Sequence, residues 1–93
     1  MADQDRVFRT IELTPGFVRS FESKQFSDVD RRRLLRALEL LDENERHSSL
    51  RVHLLQGDLA GAWSAPESDE PRITFRRLDD GRKRILSCTR HYR

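Results

Sequence analysis

This chain of 93 residues predicts an α+β domain: a strand, two helices, then an antiparallel meander, with both helices on one face of a sheet of 4–5 strands. Three observations carry that prediction. Helix-start signals fall twice in the first third, at Thr14-Pro15 and at Ser27-Asp28-Val29-Asp30. An apolar stripe at helical spacing follows each. Past residue 48 the helical period gives way to short alternating segments broken by glycine and proline, which read as strands and turns. At this length one domain over residues 1–93 is expected, near the lower limit for a core without disulfide or metal support.

The first strand is predicted over 7–13, where Val7, Ile11 and Leu13 share one parity and Phe8, Thr10 and Glu12 the other. Thr14 then caps a short helix with Pro15 in its first turn and Phe17, Val18 and Phe21 on its apolar side. The second helix opens on the capping-box-like Ser27-Asp28-Val29-Asp30 and should bury Leu34, Ala37, Leu38 and Leu41. Its other side carries Arg31, Arg32, Arg33 and Arg36, flanked by Glu39, Asp42 and Glu43. Interspersed acids favour a solvated helix face over an RNA-binding patch. A polar link over 44–48 leads to strands predicted at 51–56 and 62–65, joined by a turn that Gly57-Asp58 and Gly61 bound. Pro66 and Pro71 delimit a loop. Strands over 72–78 and 84–89 close the sheet through the hairpin turn Asp79-Asp80-Gly81-Arg82.

Composition narrows the function. Hydrophobic residues are 35% and charged residues 37%, so the core is lean and a partner that binds only the folded state would add stability. The single cysteine, Cys88, cannot form an intramolecular disulfide and reads as a small buried hydrophobe in a reducing compartment. The acidic start has no apolar signal core, and no run is long enough to span a bilayer, so a cytoplasmic, membrane-free protein is expected. Net charge is only +2, but it is segregated: residues 1–70 hold ten Lys/Arg against fourteen Asp/Glu, and residues 71–93 hold eight against two. Such basic density fits either a polyanion-binding surface or an ordinary solvated sheet face. Three histidines and one cysteine show no zinc spacing, and no phosphate-loop, dinucleotide or nucleophile-elbow motif occurs, so neither a metal nor a small-molecule cofactor is implied.

Strand parity gathers the remaining polar chemistry. With Val52, Leu54, Ile73, Phe75, Leu86 and Cys88 taken as core-facing, Arg51, His53, Arg72, Thr74, Arg76 and His91 fall on the open face. A bulge near the end of the last strand would invert His91. Histidines beside arginines can serve a metal-free ribonuclease, which needs a base at the 2′-hydroxyl, an acid at the leaving 5′-oxygen and cations at the phosphate. Trp63, next to the glycine turn, is more simply a sheet-packing residue than a base stacker.

The run Ser49-Leu50-Arg51-Val52-His53, then Leu55-x-Gly57-Asp58-Leu59-x-Gly61-x-Trp63-Ser64, then Arg72-Ile73-Thr74-Phe75, resembles the RelE/ParE superfamily of small toxins, within it the YafQ-like RelE toxins. The resemblance implies a type II toxin–antitoxin toxin that cleaves mRNA at the ribosome, a metal-independent endoribonuclease working by 2′-hydroxyl attack. It implies catalytic roles for His53, for Arg72 of the Arg-Ile-x-Phe strand, and for His91 in Thr89-Arg90-His91. Arg51, Arg76, Arg90 and Tyr92 become RNA contacts, Tyr92 by stacking. The implied partners are a cognate acidic antitoxin, mRNA and the ribosome. The 65–71 loop carries no histidine or tryptophan, where YafQ-like enzymes have catalytic-loop residues. That departure keeps a ParE-like gyrase inhibitor, or a catalytically silent antitoxin-binding homologue, as the alternative. A plain RNA-binding sheet is a third reading, but the chain lacks the exposed aromatic pair such a sheet uses.

Overall fold

The computed structural model describes residues 8–47, 50, 52–54, 62–65 and 71–89. Within them the elements run β1 (Ile11–Leu13), α1 (Pro15–Glu22), α2 (Asp28–Glu43), β2 (His53–Leu54), β3 (Trp63–Ala65), β4 (Arg72–Arg77) and β5 (Lys83–Thr89). The strands form one five-stranded sheet in the order β1-β5-β4-β3-β2. The pairs β2–β3, β3–β4 and β4–β5 are antiparallel, as a meander requires, while β1 lies parallel to β5. A parallel neighbour needs a long crossover, and α1 with α2 begins the one that leaves β1.

Both helices start where the sequence places them. The Thr14 hydroxyl accepts the Phe17 N–H at 3.1 Å and donates to the Ile85 carbonyl at 2.7 Å, so one side chain caps α1 and fastens it to β5. Ser27 and Asp30 form a reciprocal capping box at α2. With eight residues α1 is too short to persist alone, and tertiary contacts hold it. Phe17 is buried and stacks on Phe21, whereas Val18 of the predicted stripe is exposed. At its far end Arg31 donates from Nε to the Phe21 carbonyl at 2.9 Å and from Nη2 to the Ser23 carbonyl at 2.8 Å. Arg31 is therefore no member of a solvated arginine face: it takes up carbonyls that a helix end leaves without partners. Arg32, Arg33 and Arg36 are exposed, as expected.

The core lies between α2 and the sheet. Leu34, Ala37, Leu38 and Leu41 are buried against Ile73, Phe75, Ile85 and Cys88, with Ile11, Phe17, Phe26, Leu40 and Leu50 completing the cluster. Burial of each Leu, Ile or Phe is worth about 1.5–3 kcal/mol, so this face outweighs any single polar contact. Burial pushes the Cys88 thiol up to about 12, in keeping with a cysteine that serves as an apolar filler.

Three expectations change. The first strand is shorter than 7–13: the N–H groups of residues 9 and 10 go to Asp42, while the Thr10 carbonyl accepts the Lys83 N–H of β5 at 2.8 Å. The Asp42 carboxylate accepts the N–H of Arg9 at 3.0 Å and that of Thr10 at 2.6 Å, and the Thr10 hydroxyl at 2.8 Å. An acid in the last turn of a helix opposes the helix dipole, and these bonds offset that cost. Leu13, on one parity with Ile11, ends the edge strand 41% exposed while Ile11 is buried. Leu86 does not share the core face with Cys88. The β4–β5 register jumps from Thr74↔Ser87 to Phe75↔Ile85, so Leu86 is the extra residue of a bulge, and Ile85 takes the core position. The hairpin turn at Gly81 is as predicted, with φ +89° at the glycine. Asp80 closes it, accepting the Arg82 N–H at 3.0 Å and Arg82 Nε at 2.7 Å.

Candidate functional site

Register on the face away from the helices aligns a row of polar residues across four strands. His53 of β2 lies opposite Ser64 of β3, Ser64 opposite Thr74 of β4, and Thr74 opposite Ser87 of β5. At the usual strand spacing the row spans roughly 14 Å. Arg72 and Arg76 flank Thr74 along β4, each roughly 7 Å from it, and Thr89 pairs with Arg72. By register, His53, Ser64, Thr74, Ser87, Arg72 and Arg76 fall on one side of the sheet.

This face differs from a flat, solvated sheet. Ser64 is 1% exposed, Arg72 5% and Thr74 7%, while Arg76 is exposed. The expectation that open-face strand residues are largely exposed thus fails at Arg72. Burial places the guanidinium where the local dielectric is low and its field is strong.

Three of the basic residues of the last strands pair with acids, among them Glu12 and Glu45 from earlier in the chain. Arg84 pairs with Glu12 at 2.5 Å, and Arg82 with Asp80 at 2.7 Å and with Glu12 at 3.4 Å. Arg77 pairs with Glu45 and lies 3.9 Å over the Trp63 ring. That contact answers the question about Trp63, which packs half-buried on the helix side beside Phe75 and is covered by a cation. Parallel pairing of β1 with β5 sets Glu12 directly opposite Arg84, so the segregation seen along the sequence acts partly as tertiary complementarity. Arg76 is exposed and has no ion pair among the described residues, which leaves it available to an anionic ligand.

The predicted site residues thus divide. His53, Arg72 and Arg76 share the face away from the helices by register. Arg51, Arg90, His91 and Tyr92 lie outside the described residues, as do Gly57, Gly61 and most of the 65–71 loop. The parity argument for His91 started from Leu86 and Cys88; with Leu86 in the bulge, Cys88 alone carries it, and Ser87 and Thr89 still share the face of Thr74 and Arg72. Sequence reasoning missed Ser64. Extending to Ser64 the parity that selected His53 would have found it, since both neighbours, Trp63 and Ala65, pair with core residues. Among the described residues no group of three or more His, Cys, Asp or Glu could hold a metal ion, and no helix is long and apolar enough to cross a membrane.

No protein-family model and no curated protein matches the chain. Solved structures do. A YoeB/ParE toxin from Agrobacterium tumefaciens aligns over 90% of this chain and 100% of its own, at 21% identity and TM-score 0.69. The RelBE2 toxin–antitoxin complex from Mycobacterium tuberculosis includes a chain aligning over 91% and 100%, at 23% identity and TM-score 0.58. YafQ from E. coli aligns over 86% and 90%, at 21% identity and TM-score 0.62. At these identities the likeness is one of fold: the chain has the α+β fold of RelE/ParE-type toxins.

Proposed function

We propose that this chain is the toxin of a type II toxin–antitoxin pair and acts as a ribosome-dependent, metal-independent endoribonuclease on mRNA. The observation that carries the reading is the row His53, Ser64, Thr74, Ser87 with Arg72 and Arg76 on either side of Thr74. Fold likeness to the toxins above and the Leu-x-Gly-Asp-Leu-x-Gly-x-Trp motif support it.

In this reading the RNA backbone lies across the row. His53 and His91 serve as base and acid: one takes the 2′-hydroxyl proton as that oxygen attacks phosphorus, and the other protonates the departing 5′-oxygen. Arg72 binds the phosphate as charge builds on its oxygens. Its low exposure suits that role, since a charge fixed before the reaction and sheltered from water needs no reorganisation as the transition state forms. Arg76 meets a neighbouring phosphate from its exposed position, and Arg51, Arg90 and Tyr92 extend the contact with RNA. The partner is an acidic antitoxin that folds on binding. The solved toxin–antitoxin complex with this fold supports a protein partner of that kind. The setting is the cytoplasm, where mRNA is translated.

Expression without an antitoxin tests the reading. Growth arrest with mRNA cut only within translated regions is the expected result. Arrest with intact mRNA and supercoiling-defective DNA would transfer the case to the gyrase-inhibitor reading.

A further inference from the structure

Strand β5 changes phase in its middle. Lys83, Ile85 and Cys88 are buried, and strict alternation from Ile85 would bury Ser87 and Thr89 and turn Cys88 outward. The bulge at Leu86 prevents this. It carries Ser87 and Thr89 to the face of Thr74 and Arg72, their partners across the strand pair. What β5 supplies to that face therefore depends on the bulge being held. An extra residue also interrupts the ladder, so backbone groups beside it need partners from elsewhere. Thr14 supplies them: its hydroxyl donates to the Ile85 carbonyl at 2.7 Å and approaches the Leu86 carbonyl at 3.3 Å, and its N–H bonds the Ile85 carbonyl at 3.2 Å.

The same oxygen accepts the Phe17 N–H at 3.1 Å, so the start of α1 and the bulge share one side chain. The first turn of α1 also rests on the bulge, since a Cβ added at Gly16 would come within 3.4 Å of the Leu86 carbonyl. Capping a helix needs only an acceptor, and aspartate or glycine starts one as well as threonine does. The donated proton is what threonine adds, and it is spent on the bulge. We propose that Thr14 is a positioning residue for the sheet face: by holding the Leu86 bulge it fixes the phase of β5 and sets Ser87 and Thr89 beside Thr74 and Arg72. This rests on the reading of that face as the ribonuclease site. A register pinned before RNA arrives leaves the reacting groups in place, with no rearrangement needed as the phosphate is attacked.

The test uses the full chain. Thr14→Ser keeps both acceptor and donor, whereas Thr14→Asp and Thr14→Gly keep a good helix start but have no side-chain proton to give. Two readouts need no nuclease activity. One is the set of cross-strand NMR contacts that pair Thr74 with Ser87 and Ile73 with Cys88. The other is the rate at which a thiol reagent labels Cys88, the single cysteine, which is 3% exposed. Thr14→Asp and Thr14→Gly should each label about 10-fold faster than wild type and weaken the Thr74–Ser87 contact while α1 stays helical. Thr14→Ser should match wild type. In translated-mRNA cleavage the two donor-free variants should lower kcat about 10-fold with KM little changed, since a misplacement of about 1 Å can cost about 10²-fold. Wild-type pairing and labelling in both donor-free variants overturns the proposal, as does a lost register with full cleavage. Faster labelling accompanied by melting of α1 would make Thr14 a helix cap only and overturn it too. Absence of cleavage by the wild type would sink the ribonuclease reading alone, since pairing and labelling report on the bulge directly.

Discussion

Replacing Asp42 by alanine should be among the most damaging single changes outside the apolar core. The carboxylate accepts two backbone N–H groups and one hydroxyl from Arg9 and Thr10, and it is 8% exposed. Burial pushes its pKa up, but the Thr10 N–H, the Thr10 hydroxyl, the Arg9 N–H and the Arg9 charge together outweigh burial and hold it below the ordinary 3.8. Hydrogen bonds to a charged group are worth about 1.5–3 kcal/mol each, but they are not additive, and water replaces part of what is lost beside exposed Arg9. A loss of about 3 kcal/mol follows, which for a chain of this size lowers the thermal midpoint by about 15 °C. Asp42→Asn keeps an acceptor without the charge and should lose about half as much. The sign with pH is fixed by the depressed value. Asp42 binds its proton less readily folded than unfolded, so its contribution is complete above the unfolded pKa and fades as pH falls through the folded one. Melting curves followed by circular dichroism should show a constant gap between wild type and Asp42→Ala from pH 7 to about 5, closing below about 4. A gap under 5 °C at pH 7, or one that persists unchanged to pH 2, would refute the anchoring role of this residue.

Other perturbations separate site from scaffold. Arg72→Lys keeps charge and stem but loses the planar fork, and should slow mRNA cleavage by on the order of 10²-fold. It replaces alanine as the probe because Arg72 is buried. His53→Ala and His91→Ala should each cost about 10² to 10⁴ in cleavage rate, while Arg36→Ala on α2 leaves toxicity unchanged. If both histidine variants stay fully toxic and Arg36→Ala does not, the helical surface becomes the site. Arg31→Ala should loosen α1 from α2 and speed amide exchange in α1 with little effect in β4, because its bonds run to the Phe21 and Ser23 carbonyls. Calorimetric titration with the acidic protein encoded next door should show tight binding that weakens with salt but keeps an apolar component; no binding would remove the antitoxin proposal.

Local features were legible in the sequence because local chemistry decides them. Thr14-Pro15 and Ser27 with Asp30 cap their helices through bonds within three residues, and Gly81 takes the positive φ that its turn needs. Leu34, Ala37, Leu38 and Leu41 are buried because helical period alone puts them on one stripe. What stayed hidden depends on distant pairing. Nothing near Ile11 says that β5 is its neighbour, and the Glu12–Arg84 pair that follows spans most of the chain. Ile85 and Leu86 are both apolar, so either could occupy the core position, and only the register with β4 shows which is bulged. Asp42 and Arg31 read as surface charges because their partners are backbone groups, which composition does not reveal. Of the candidate site, the face shared by His53, Arg72 and Arg76 was readable from alternation, but the burial of Arg72 and Ser64 was not, since parity assigns a side and says nothing of depth.

The proposed activity is cleavage of mRNA by this sheet face in a translating ribosome. Purified protein added to a reconstituted translation reaction, with primer extension on the message, tests it most directly. Cuts within the open reading frame that require ribosomes and disappear in the Arg72→Lys and His53→Ala proteins are expected. Intact message in the presence of active, folded protein would contradict it.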